Sequence, residues 1–128
     1  MPVDHTDDVT RTAEVFFGAM EKGDMATVNS LFAPDAVVWH SGDRRDLVRT
    51  EALAVISWFI DTTISRRYEI LDRRMFEGGF AQQHILHATG SNGAAIAPRV
   101  CIIVVVNADG LIGRIDEYLE TKDIAPLR

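Results

Sequence analysis

Arg99-Val100-Cys101-Ile102-Ile103-Val104-Val105-Val106 runs into Asn107-Ala108-Asp109-Gly110, and from there into Leu111-Ile112-Gly113-Arg114-Ile115-Asp116-Glu117-Tyr118-Leu119-Glu120. β-branched residues dominate the first segment, turn formers fill the second, and the third alternates between apolar and charged positions. Two long strands joined by a short turn are antiparallel neighbours. The first strand is apolar on both alternating faces, so both faces of its sheet need cover there. Helices supply one cover. A second copy of the chain is the candidate for the other, as a homodimer through the sheet, although a Val-rich strand in mid-sheet can do without one.

Working backward, Phe80 to Thr89 reads as a strand ended by Ser91-Asn92-Gly93, and Tyr68 to Phe76 as one ended by Gly78-Gly79. Together with the first two they make a four-stranded meander. The first half reads differently. Val9, Ala13, Phe16, Phe17 and Met20 recur at helical spacing behind Thr6, a candidate N-cap. Gly23 ends that helix as a left-handed cap, and Asp24 caps a shorter one through Phe32. Pro34-Asp35 breaks it, Ala36 to His40 reads as a short strand, and Ser41-Gly42-Asp43 forms a loop. A third helix spans Leu47 to Thr62 and is apolar around most of its circumference, which predicts cover on more than one side. Within it, Trp58 is assigned to core or interface packing.

The predicted fold class is α+β. N-terminal helices pack on a strongly curved, mostly antiparallel sheet in a cone-shaped roll, in the order α-α-β-α-β-β-β-β. The 128 residues make one domain, 1–128, able to bury a real core without disulfides. Between helices and concave sheet face such a roll leaves a blind cavity, lined by apolar groups with a few polar ones.

Composition narrows the function. The net charge is −6, from 13 Lys+Arg against 19 Asp+Glu, so a phosphate backbone finds little to hold and nucleic-acid binding is disfavoured. The one cysteine, Cys101, cannot form an intrachain disulfide and reads as a small buried hydrophobe. The acidic start, Met1-Pro2-Val3-Asp4-His5, is wrong for a signal peptide, and no apolar run approaches the roughly 20 residues of a membrane span. These features predict a cytoplasmic protein without membrane contact.

A polar residue matters to chemistry only if it faces the cavity. Alternation places Phe80, Gln82, His84, Leu86 and Ala88 on one face of their strand, and Ile115, Glu117 and Leu119 on the more apolar face of the last. Glu117 is thereby a carboxylate among hydrophobes, with its pKa expected to rise into the range useful for acid–base work. His84 shares a face with Phe80 and Leu86, where a satisfied core histidine is the plainer reading. His40 ends the first strand at the expected cavity mouth and could share a proton with Glu117. His5 and His87 are set aside, the first to the terminus and the second to the outer face. Two histidines and a carboxylate could in principle hold iron, but their spacing matches no compact ligand motif. No metal and no cofactor is expected, and no phosphate loop, dinucleotide fingerprint or nucleophile elbow occurs.

Glu21-Lys22-Gly23-Asp24 followed by Leu31-Phe32-Ala33-Pro34-Asp35-Ala36-Val37-Val38-Trp39-His40 resembles the opening of the nuclear transport factor 2-like superfamily. Asn107 through Glu120 looks like its closing strand. More narrowly the chain is similar to SnoaL-like and ketosteroid isomerase-like members, over nearly its whole length. The resemblance implies that His40 stands where ketosteroid isomerases keep a general-base aspartate and limonene-epoxide hydrolases a water-positioning asparagine. It implies that Phe16 and Ile102 replace the two oxyanion-hole donors of the isomerase. Glu117 matches the hydrolase's catalytic aspartate and the acid–base aspartate of SnoaL-like cyclases. His84 and Leu86 stand approximately at the hydrolase's arginine and second aspartate. No member's full residue set is present, so the resemblance speaks for fold more than reaction.

The leading expectation is cofactor-independent acid–base chemistry on a small hydrophobic molecule: isomerisation, cyclisation, dehydration or epoxide hydration. Glu117 would transfer the proton, His40 act as its partner or base, and His84 orient. Phe16, Met20, Val38, Trp39, Leu86, Ile102 and Val104 would line the pocket. The alternative is a non-catalytic ligand-binding or dimeric scaffolding domain. That reading would be favoured by a cavity too small for a ligand, or one filled by Trp39 and Phe16.

Overall fold

Apolar residues at helical spacing drive the first element. Val9, Ala13, Phe16, Phe17 and Met20 are all buried on one side of α1 (Thr6–Lys22), as a 3.6-residue period requires. The computed structural model describes residues 6–128; Thr6 is the first helical residue there rather than a preceding cap, and His5 lies outside the described residues. Gly23 adopts a left-handed φ of 69° and ends the helix. Asp24 caps α2 (Met25–Leu31), its carboxylate accepting the Thr27 N–H at 3.2 Å.

β1 (Phe32–His40) is longer than the sequence suggests and passes through Pro34-Asp35. Proline has no N–H for a ladder, and it falls where the pairing of β1 with the last strand slips register, between Phe32 and Val37. Leu47–Val48 is not helical but forms a short strand, β2, against Val38 and Val37, so α3 covers only Arg49–Thr62. The cover on more than one side expected of α3 is not met within one chain: only Ala52 is buried, and Val55 is 40% exposed.

The rest is sheet: β3 (Thr63–Phe76), β4 (Gly79–Gly90), β5 (Ala95–Ile96), β6 (Arg99–Val106) and β7 (Ile112–Tyr118). The order is β2-β1-β7-β6-β4-β3, with β5 paired to β4 outside that row. β3, β4, β6 and β7 form the expected antiparallel meander. β1 closes it by running parallel to β7. Register shifts near Ser65 and Leu71 mark bulges in the longest strand pair, and bulges bend and twist a sheet.

The concave face carries the core. Phe80, Gln82, His84, Leu86 and Ala88 of β4 are all buried, as are Val100, Ile102, Val104 and Val106 of β6. Helices α1 and α2 cover one end. At the other end Leu86, Ala88, Ile96 and Val100 are covered by Leu127, from two 3₁₀ turns after β7 (Thr121–Asp123 and Ala125–Leu127). The convex face is less covered within one chain. Val105 is 42% exposed there, and Cys101, paired with Tyr118, is half-buried rather than buried. Among the described residues no helix is long and apolar enough to cross a membrane.

Candidate active site

Between α1, α3 and the concave face lies a cavity of about 300 Å³. Phe16, Phe17 and Met20 of α1 line it, with Ile56, Trp58 and Phe59 of α3 and Val38, Leu86, Ile102 and Ile115 of the sheet. Trp58, expected in core or interface packing, is therefore a wall residue. Thr121, Ile124 and Arg128 line it from the C-terminal turns, where the Arg128 guanidinium stands 5.0 Å over the Trp58 ring. The volume sits at the small end for ligand pockets, and the cavity is not filled by its own aromatic residues.

Two of the three expected polar residues meet in it. Parallel pairing sets His40 of β1 directly opposite Glu117 of β7, and His40 Nε2 lies 3.9 Å from Glu117 Oε1. That is too far for a direct hydrogen bond and right for a shared oxygen between them. The junction is held by Ser41, whose N–H donates to the Glu117 carbonyl at 2.9 Å while its Oγ accepts the Leu119 N–H at 3.1 Å.

Asp43, which sequence reasoning left in a loop, completes the pair. The turn His40-Ser41-Gly42-Asp43 closes through the Asp43 N–H on the His40 carbonyl at 2.9 Å, with Gly42 at a φ of 93°. Its carboxylate accepts the His40 backbone N–H at 3.0 Å and lies 3.1 Å from Nδ1. A carboxylate beside Nδ1 fixes the ring hydrogen there and leaves the Nε2 lone pair facing Glu117. The signal available was an Asp three residues after a His across a glycine turn.

Glu117 keeps 27% of its side-chain surface accessible, but what it meets is the cavity rather than bulk water. Its pKa is raised because burial penalises the charged form, with His40 opposing. Burial thus shifts this carboxyl group toward its protonated form, opposite an imidazole of fixed tautomer.

His84 is not brought to that pair. Its face was read correctly, but its ring lies beneath Phe17 and Tyr68, with centroids at 5.6 and 5.0 Å, and is 1% exposed. A buried chain holds it. Arg73 Nε donates to Gln82 Oε1 at 2.7 Å, which leaves the amide NH₂ of Gln82 to donate to His84 Nδ1 at 2.9 Å. The imidazole is therefore neutral with its hydrogen on Nε2. Burial, then the Arg73 charge, pull its pKa down to about 4.

Two wall residues need correcting. Trp39 lies between Val38 and His40, so period two turns it to the convex face; there it stacks on Tyr118 at 5.2 Å and donates its Nε1–H to the Asp43 carbonyl at 3.0 Å. Val104 is fully buried among Phe80 and Ile115 in the closed end of the cone, below the cavity floor. Phe16, Met20, Val38, Leu86 and Ile102 do line the cavity. Tyr68 lines it too, and had been read only as the start of a strand. Among the described residues no cluster of three His, Cys, Asp or Glu has the geometry to hold a metal ion.

A cone of helices on a curved, open, mostly antiparallel sheet, closed over an apolar cavity, is the architecture of nuclear transport factor 2-like, ketosteroid isomerase-like proteins. Residues 13–115 match the profile of the SnoaL-like domain. The chain belongs to that family. Solved structures agree on the fold. An LEH-like epoxide hydrolase of M. tuberculosis superposes with a TM-score of 0.79 at 17% identity, covering 97% of this chain and 91% of the other. PrhC from Penicillium brasilianum gives 0.82 at 16% identity, covering 97% and 87%. AusH from Aspergillus nidulans gives 0.80 at 15%, covering 94% and 88%. No curated protein matches the chain significantly in sequence.

Proposed function

We propose that this protein is an enzyme performing cofactor-independent acid–base chemistry on a small hydrophobic molecule held in the cavity. One observation carries the reading: a carboxyl group with a raised pKa faces the open Nε2 of an imidazole across 3.9 Å, inside an apolar wall. Glu117 is the proton-transferring group. His40, oriented by Asp43, is its partner, taking the proton in one half of the cycle and returning it in the other. A reacting atom between the two would lie within hydrogen-bond reach of both.

Isomerisation, cyclisation, dehydration and epoxide hydration can all be served by such a pair. The likeness to an LEH-like epoxide hydrolase keeps the last of these among the candidates. His84 takes no part at the reacting atoms in this reading. Its neutral ring supports the wall from behind.

The test is turnover by Glu117→Gln across a panel of terpenoid, steroid and polyketide substrates. Glutamine keeps the shape and cannot exchange the proton, so activity should fall by at least about a hundredfold while circular dichroism stays unchanged. Undiminished turnover would remove the assignment.

A further inference from the structure

Tyr68 is a polar cavity group that takes no part in the acid–base chemistry proposed above. Tyr68 comes from β3, at the far end of the sheet order from β1 and β7, and only the curl of the sheet brings it into the same cavity as His40 and Glu117. Its ring is held rigidly. It packs at 5.0 Å on Phe17 and edge-on at 5.0 Å on His84, whose own orientation is locked by Gln82 and Arg73.

The phenol has no hydrogen-bond partner among the described residues of the protein, and it is not among the sealed polar atoms. Buried tyrosines ordinarily find a partner for that hydroxyl. A clamped donor with no such partner, set in an apolar wall, is what a site built for a ligand oxygen requires, since the ordering cost is met before the ligand arrives.

We propose that Tyr68 is a second polar anchor of the cavity, donating a hydrogen bond to a carbonyl or ether oxygen of a ring-containing, otherwise apolar substrate. This rests on the cavity being the substrate site, and it narrows the substrate class. The molecule carries an acceptor oxygen besides the atom at which Glu117 and His40 work, and it is small enough for about 300 Å³. Burial and the Glu117 charge both push the phenol's pKa upward, so it stays a donor throughout the physiological range. Tyr68 thereby selects the bound orientation: a substrate placed backwards would leave the phenol unbonded and the acid–base pair without its reacting atom.

The test compares two probes that differ by one oxygen, 1-tetralone and tetralin, by titration calorimetry. Wild-type protein should bind the ketone more tightly than the hydrocarbon. Tyr68→Phe, which keeps the ring and its packing, should weaken the ketone about three- to tenfold, the effect of one neutral hydrogen bond, and leave tetralin unchanged. A wild type that takes both probes equally, or neither, overturns the proposal without any variant. So does a ketone preference that survives in Tyr68→Phe and disappears in Glu117→Gln. Binding is read here and turnover above, so an active Glu117→Gln would sink the acid–base reading without moving this result, and the reverse holds too.

Discussion

Replacing His84 with asparagine should flatten the acid limb of this protein's stability. In the folded chain Nδ1 accepts from Gln82, whose carbonyl is already held by Arg73, and Phe17 and Tyr68 close over the ring. A proton arriving at Nδ1 would face the Gln82 NH₂, donor against donor, with the Arg73 guanidinium behind it. The folded pKa is accordingly lowered from 6.5 to about 4. Between those values the unfolded chain binds a proton that the folded chain refuses. The stabilisation is whole above pH 6.5, shrinks as pH falls, and is gone below 4. The full span is worth about 3 kcal/mol, and about 2.5 kcal/mol of it is lost by pH 4.5. Glu117 works in the opposite sense, since its raised pKa favours proton uptake by the folded chain. It is present in both proteins and cancels in their difference. Asparagine offers an oxygen close to where Nδ1 stands, keeps the Gln82 bond and does not titrate; the cavity it leaves costs the same at every pH. Urea denaturation at pH 7.5, 6.5, 5.5 and 4.5 should therefore show the wild-type advantage over His84→Asn shrinking by about 2.5 kcal/mol. An advantage constant across that range refutes the reasoning, because His84 would then not be held neutral by burial.

Asp43→Asn should lower kcat by roughly a hundredfold with little change in KM, because an amide beside Nδ1 can stabilise the wrong imidazole tautomer; unchanged kcat would mean that His40 needs no orienting carboxylate. Gly79→Ala should destabilise the fold by about 2 kcal/mol, since an added Cβ would run into the Val104 carbonyl and come within 2.6 Å of the Phe76 ring. An unaltered Tm would show that the start of β4 yields more easily than its packing implies.

The parts of this molecule legible in its sequence are those governed by neighbours in the chain. The run from Arg99 to Val106 is a strand with the bounds its β-branched residues predict. Period two put Glu117 and the buried row of β4 on their correct faces. Gly23 and Asp24 mark a helix end and a helix start because their roles are local. What escaped was set at long range. The expected strand starts at Tyr68, yet Ser65-Arg66-Arg67 also lies in β3 because β4 offers a ladder alongside. Pro34 reads as a breaker, and only the irregular pairing with β7 shows why a strand tolerates it. For the site, alternation tells which face a residue takes but not how deep in the cone it sits. His84 was thus given the right face and the wrong depth. Trp39 cannot line the cavity beside Val38 and His40, since three successive strand residues do not share a face. Asp43 and Tyr68 went unseen because one closes a turn and the other gains its neighbours only from sheet curvature.

The pairing of β1 with β7 also bears on how the molecule comes into being. His40 belongs to the first strand of the described fold and Glu117 to the last, and they lie opposite one another only in a ladder joining those two. A nascent polypeptide has neither the closed cone nor the His40–Glu117 pairing until β7 has been made. Contacts so distant in the chain are slow to form, so β1 stays open to mispairing until β7 arrives.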